Sequence, residues 1–288
     1  MKIDAVVVTF NRLDKLKECL EALSTFDLNN IFVINNASTD GTKEYLKKLP
    51  NIQPINLEEN VGGAGGFNVG MKQFIENSES DYVWIMDDDT IPEPGALELL
   101  GKTMADNSKI GFAIGQVYWT DGTLAKMNLP VLARNQPVDS NIRCVEEASF
   151  VAVMFSRQAI KKTGYPIKDF FIWGDDVEYT NRVIQQGFLG IQVMDARILH
   201  KMGENVGINI LGENSNQGRI QRYFYNYRNR LYLNRQKGIV PVIRALCGRI
   251  VWGFRIMFSK NEFKRLKLSV LCKGTLAGLT FNPKIEQC

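Results

Sequence analysis

Short apolar runs alternate with amphipathic stretches through the first third of the chain. Ile3–Thr9 is apolar and β-branched, the pattern of a buried strand. Leu13, Leu16, Leu20 and Leu23 follow at helical spacing and predict a helix over 13–24. The alternation continues with a strand over 31–35, a helix over 42–49 and a strand over 52–57. A glycine-rich loop at 60–66, a helix over 67–77 and a strand over 82–86 complete it. This order predicts an α/β fold with a mostly parallel sheet and helices on both faces. Pro92 and Pro94 then mark a turn. No internal repeat or low-complexity segment interrupts the pattern.

The strand over 82–86 runs into Asp87-Asp88-Asp89. Three adjacent carboxylates repel one another unless a cation sits among them. A divalent metal suits such hard oxygen ligands, and a solvated acidic turn is the alternative. Open α/β sheets bind ligands outside the carboxyl ends of their strands, where this cluster falls. The other strands end in polar loops. Thr9-Phe10-Asn11-Arg12 offers a guanidinium to a phosphate. Asn35-Asn36-Ala37-Ser38-Thr39-Asp40-Gly41 is rich in hydrogen-bonding side chains. Asn60-Val61-Gly62-Gly63-Ala64-Gly65-Gly66-Phe67 carries four glycines that allow close backbone approach to a ligand. It matches neither the dinucleotide fingerprint nor a P-loop. Such loops beside an acidic metal site point together to a nucleotide diphosphate.

Charge divides the 288 residues unevenly. Residues 1–214 hold 20 Lys/Arg against 29 Asp/Glu, whereas residues 215–274 hold 14 against Glu262 alone. This asymmetry sets an expected boundary near Ser215 and different roles for 1–214, which holds the nucleotide-suited loops, and 215–288, a basic, aromatic, mainly helical region. Residues 219–237 interleave five tyrosine and phenylalanine rings with five arginines but match no nucleic-acid-binding motif, so no nucleic-acid partner is expected. Ile239–Phe258 is strongly apolar yet carries Arg244, Arg249 and Arg255, which argues against a spanning helix. Peripheral contact with an anionic membrane through 215–274 is expected, with a packed helical appendage as the alternative. Five scattered cysteines without metal or redox spacing, and an N-terminus unlike a signal peptide, read as cytoplasmic.

The three loop motifs, the aspartate triplet and a fifth motif, Trp173-Gly174-Asp175-Asp176-Val177-Glu178-Tyr179, together resemble family 2 glycosyltransferases of the GT-A fold. The resemblance spans about residues 3–205. The doubled glycine loop and the Trp-Gly-Asp-Asp motif are most similar to bacterial galactofuranosyltransferases, with rhamnosyltransferases the nearest competitor. Many members have Asp where Asn35 stands, at the position that reads uracil.

The resemblance implies a Rossmann-like GT-A domain that binds a UDP-sugar through Thr9, Asn11, Arg12, Asn35, Asn36, Asp40, Asn60, Gly62, Gly63, Gly65, Gly66, Phe67, Asp87 and Asp88. It implies manganese or magnesium held by Asp87, Asp89 and His200, the only histidine in the chain. Without it, a lone histidine reads as an ordinary core or surface residue.

Inverting transfer needs a base for the acceptor hydroxyl. The resemblance makes Asp176 that base, with Asp175 beside it and Trp173 and Glu178 on the acceptor side. As a pattern, Asp175 and Asp176 also suit the start of a helix that runs to about Gln186 and stops at Gly187. Phe170 and Phe171 suit either an acceptor platform or the core. The implied acceptor is a lipid-linked glycan in cell-surface polysaccharide synthesis, at the inner face of the plasma membrane. The alternatives are a rhamnosyltransferase using dTDP-rhamnose, a non-catalytic nucleotide-sugar-binding subunit, and a nucleotidyltransferase.

Overall fold

In the computed structural model, which describes residues 1–134, 141–205 and 207–288, the N-terminal strand β1 (Ile3–Thr9) lies inside a sheet. The helix α1 (Leu13–Leu23) leads to β2 (Asn30–Asn35), and α2 (Thr42–Leu46) leads to β3 (Gln53–Asn56). The helix α3 (Gly62–Asn77) returns the chain to β4 (Tyr82–Asp87), on the other side of β1. These four strands are parallel and lie in the order β3-β2-β1-β4. The chain thus reverses direction across the sheet between β1 and β4, the switch point at which open α/β sheets take ligands.

The rest of the sheet is mixed. After β5 (Thr90–Pro92) and α4 (Ala96–Asp106) come β6 (Ile110–Tyr118), β7 (Val131–Leu132), β8 (Ile142–Glu147) and β9 (Val153–Ser156). Helices α5 (Arg157–Thr163) and α6 (Asp175–Gln185) precede β10 (Leu189–His200). β9 runs antiparallel between β4 and β6, while β10 pairs in parallel with β6 and antiparallel with β5 and β8. A mostly parallel central sheet with helices is what the alternation predicts. Pro92 differs from expectation: it ends the short strand β5, and the turn after β4 is made by Asp88 and Asp89 themselves.

Period-two burial explains how helices cover both faces. Ala5, Val7, Val33, Trp84 and Met86 join one core cluster with residues of α1 and α4. Their neighbours Val6, Val8, Phe32, Ile34, Val83 and Ile85 join a second with residues of α3, α5 and α6. Side chains alternate across a strand, so a strand buried on both faces reads as the unbroken apolar run seen in the sequence.

The chain divides into two compact units. The first comprises Met1–Lys168, Asp176–Asn205 and Ile285–Cys288 and holds the sheet. The second comprises Asp169–Asp175 and Val206–Lys284, so Ser215 falls inside it. It holds α7 (Gln217–Gln236), α8 (Ile239–Phe258) and α9 (Lys264–Thr280) around a core that includes Ile220, Tyr223, Tyr227, Ile256, Val270 and Leu271.

Within the first unit, Glu286 accepts from Asn68 Nδ2 (2.8 Å), Lys72 Nζ (2.9 Å) and Lys168 Nζ (3.0 Å). Partial burial pushes its carboxyl up, but these donors outweigh it and hold the pKa at about 2, below the ordinary 4.5. A lowered folded value means stability present above about pH 4.5 and lost as pH falls towards 2. The lysines are partly exposed, so the contribution is of the order of 1 kcal/mol. Glu286→Gln is expected to lower the melting temperature at neutral pH, and the gap from the unmodified protein should close as pH is taken below 4.5. Thermal melts over a pH series read this directly.

Candidate active site

The parallel register aligns the carboxyl ends of the strands. Thr9 is level with Asn35, Asn35 with Asn56, and Val8 with Asp87. Thr9 is therefore beside Asp88, and its Oγ1 donates to Asp88 Oδ2 at 2.7 Å. Antiparallel pairing of β5 with β10 sets His200 opposite Thr90, and Lys201 N donates to Asp89 O. His200 is thereby carried to Asp89, with Nε2 at 3.1 Å from Oδ1.

Cations gather at the acidic turn. Arg12 Nη1 donates to Asp88 Oδ1 (3.2 Å) and Asp89 Oδ2 (2.9 Å), and Lys15 Nζ donates to the same Asp89 oxygen (3.1 Å). Burial pushes the Asp89 carboxyl up, but His200, Arg12 and Lys15 outweigh it and hold it well below the usual carboxylate range. At Asp88 burial prevails over Arg12 and Thr9, and the pKa is raised. Burial of the Cys19 thiol, reinforced by the three aspartates, raises its pKa strongly.

His200 is buried and held from its other side, where Nδ1 lies 2.8 Å from Asn128 Oδ1. An amide oxygen only accepts, so Nδ1 carries a proton and Asn128 fixes the ring, while Nε2 faces the Asp89 carboxylate. A divalent cation would take the place of a proton between these two atoms. An imidazole nitrogen and a carboxylate oxygen, with the ring oriented by a fixed partner, form a donor pair that fits a divalent metal. No three His, Cys, Asp or Glu side chains meet as a metal cluster among the described residues. Of the expected trio, the structure brings Asp89 and His200 together.

Several expected donor-binding residues make hydrogen bonds within and between the loops. Asn35 and Asn36 are buried. Asn35 Nδ2 donates to Asn56 Oδ1, and its Oδ1 accepts from Ser38 N. Asn36 joins Asn60, Gly62 O and Val61 N. Asn11 Oδ1 accepts from Thr39 N, and Asp40 accepts from Leu13 N and from Thr42. These bonds lock the β1–α1, β2–α2 and β3–α3 connections to one another.

The glycine-rich loop requires a correction, because Gly62 to Gly66 form the first turns of α3. A Cβ at Gly66 would lie 2.5 Å from Val8 Cγ1, and one at Gly70 would lie 2.3 Å from Val6 Cγ1. These positions let α3 approach β1. Phe67 is in the core, edge-on to Phe150. At Gly63 a Cβ would meet nothing within 4 Å.

On the expected acceptor side, Asp176 Oδ1 accepts from Val177 N at the start of α6, and Asp175 is buried. Glu178 forms a buried bidentate pair with Arg182 one helical turn on (2.8 and 2.9 Å). Phe170 is fully buried against Tyr232 and Phe281, while Phe171 stacks on Tyr225 at 4.6 Å.

Asn128, Lys15 and Asn229 carry no sequence signal. Asn229 is fully buried on α7, and its Nδ2 lies within 3.1 Å of the carbonyls of Phe170, Ile172 and Trp173. This amide clamps a segment in which Phe171 and Trp173 both have φ 64° and Gly174 has φ 92°, the left-handed region that side chains rarely adopt. Unsatisfied buried partners cost about 1–3 kcal/mol. Asn229→Ala is expected to lower the melting temperature and impair acceptor use while leaving UDP affinity within about twofold. Calorimetry with UDP and steady-state kinetics separate the two effects.

An acidic turn at the switch point of a parallel sheet, with a guanidinium and an imidazole upon it, defines a site of the class that GT-A glycosyltransferases build. Residues 4–163, more than half the chain, match the family "Glycosyl transferase family 2". The chain belongs to that family and is a glycosyltransferase.

Galactofuranosyltransferase GlfT1 of Mycobacterium tuberculosis is 26% identical over 279 residues, covering 88% of each chain. GlfT1 of Mycolicibacterium smegmatis is 25% identical over 277 residues, covering 88% of this chain and 89% of its own. The structure of S. aureus TarS 1-349 in complex with UDP superposes with a TM-score of 0.56 at 15% identity, over 98% of this chain and 73% of that one. A second TarS structure gives 0.54, with this chain spanning 44% of its length. At such identity the likeness to TarS concerns the fold.

Proposed function

We propose that the protein is a metal-dependent, inverting galactofuranosyltransferase. In this reading it moves galactofuranose from UDP-galactofuranose to a lipid-linked glycan, for cell-surface polysaccharide, at the cytoplasmic face of the plasma membrane. The contact of Asp89 with His200 at the switch point carries the reading, because a histidine at the acidic turn is what the galactofuranosyl resemblance implied. The galactofuranosyltransferases that align over 88% of the chain support the same sugar.

In this mechanism Asp89 and His200, together with Asp87, would hold a divalent metal, which would supply charge neutralisation to the leaving diphosphate. Arg12, half-exposed between Asp88 and Asp89, turns to a diphosphate oxygen when the donor enters. Thr9 keeps Asp88 in place. Asp176 takes the proton from the acceptor hydroxyl as that oxygen bonds to the anomeric carbon. The bond from this carbon to the diphosphate breaks, UDP leaves with the electron pair, and the configuration inverts. Trp173 borders the acceptor. Glu178, paired with Arg182, keeps α6 in position.

A donor panel tests the proposal. Purified protein is given UDP-galactofuranose, UDP-galactopyranose or dTDP-rhamnose with a synthetic galactofuranosyl-lipid acceptor, and nucleotide release and product are measured. Transfer from UDP-galactofuranose alone is expected. Turnover of dTDP-rhamnose would make it a rhamnosyltransferase, and release of pyrophosphate a nucleotidyltransferase. Binding of a donor without turnover of any would leave a nucleotide-sugar-binding subunit.

A further inference from the structure

Helix α8 is inverted with respect to a normal surface helix, because its solvent side is the apolar one. Ile239 (70% exposed), Val240, Ile243, Ile250, Val251, Phe254 (53%), Met257 and Phe258 (80%) all lie open on it. At about 100° per residue these side chains share an arc of about 120°, and Arg244 and Arg255 lie just beyond one edge of it. Phe254 and Phe258 stack on each other at 6.2 Å within that surface. The opposite side packs inside its own unit, with Ile256 fully buried and the Arg249 guanidinium 4.5 Å from the Tyr227 ring. Soluble proteins rarely leave a contiguous apolar surface of this kind uncovered.

We propose that this face of α8 is a membrane-docking surface that lies in the interface of an anionic bilayer. The apolar arc would sit at the boundary between headgroups and acyl chains, with Arg244 and Arg255 among the phosphates. Charge selects this occupant. Residues 215–274 carry 14 basic side chains against Glu262 alone, and α8 carries no acid. A second copy of the chain would oppose the same positive charge, whereas an anionic lipid surface complements it. No helix among the described residues is long and apolar enough to cross a membrane, and an amphipathic helix with this arc suits the plane of the interface. The inference stands apart from the catalytic reading, since it needs neither metal nor donor.

Vesicle flotation of the full chain tests it, using phosphatidylcholine alone and phosphatidylcholine mixed with phosphatidylglycerol. Binding is expected with the anionic vesicles, weakened but not abolished by high salt, because apolar insertion is not screened. Phe254→Ser with Phe258→Ser removes exposed rings only, so folding and UDP affinity should stay intact while binding falls about tenfold or more. Arg244→Glu with Arg255→Glu should remove the preference for anionic lipid. Absence of binding to anionic vesicles would overturn the proposal. So would light scattering that shows a dimer which the Phe254→Ser, Phe258→Ser protein can no longer form, since the face would then belong to a second copy.

Discussion

Replacing Asp176 by Asn is expected to slow transfer by about 10²–10⁴-fold, the usual worth of a general base, while the protein still binds UDP as before. The amide keeps the size of the carboxylate and still accepts from Val177 N at the start of α6, so the helix should persist. What it loses is the ability to take a proton. The effect therefore belongs in turnover and should not appear as lost donor affinity. Asp175→Asn provides the comparison: this residue is buried where Asp176 is partly exposed, and it is expected to cost stability more than rate. Calorimetry with UDP, thermal melts and initial rates for both variants distinguish the roles. A normal rate for Asp176→Asn with an inactive Asp175→Asn would exchange them.

The legible parts of the fold were those whose signal is local. β1, β2 and β4 are buried on both faces, so they stand out as apolar runs, and α8 is found at its full length because its ends coincide with Gly238 and Ser259. The antiparallel half was not readable in the same way. β9 inserts between β4 and β6, and nothing within Val153–Ser156 announces partners so far away in sequence. The start of α3 is hidden for a related reason. Gly65 and Gly66 look like helix breakers, and their fitness appears only when Val61 and Val8 are found where their Cβ atoms would be.

The site divides along the same line. Carboxylates in a row and a Trp-Gly-Asp-Asp string are visible as motifs, but the residues that orient them are not. Asn128 lies 72 residues from His200, and it meets the ring because β10 ends beside the acidic turn. Lys15 sits on α1, where a lysine ordinarily reads as part of a solvated face, yet it reaches Asp89 at 3.1 Å. Nor does the sequence show that Asn35 and Asn36 also link the loops to one another, because buried amides satisfy their hydrogen bonds wherever partners are offered.

Removing the metal or its ligands is expected to have the largest effect of all. Transfer should cease in EDTA and return on adding manganese or magnesium, because a departing diphosphate needs its charge neutralised. Asp89→Ala should abolish transfer outright. It removes the carboxylate that faces His200 Nε2 and leaves Arg12 and Lys15 without their shared partner, so UDP binding should lose its dependence on metal. Asp87→Ala is expected to be comparably inactive. His200→Ala should weaken metal affinity by about 10–100-fold, a scale borrowed from the partners that orient metal ligands. Asn128→Ala should produce a milder form of the same defect, since the ring remains but is no longer held through Nδ1. Titration of manganese in the presence of UDP reads these effects without any turnover. Full activity in EDTA, or unchanged manganese affinity in Asp89→Ala, would reduce the acidic turn to a structural ion-pair cluster built on Arg12, Lys15 and His200.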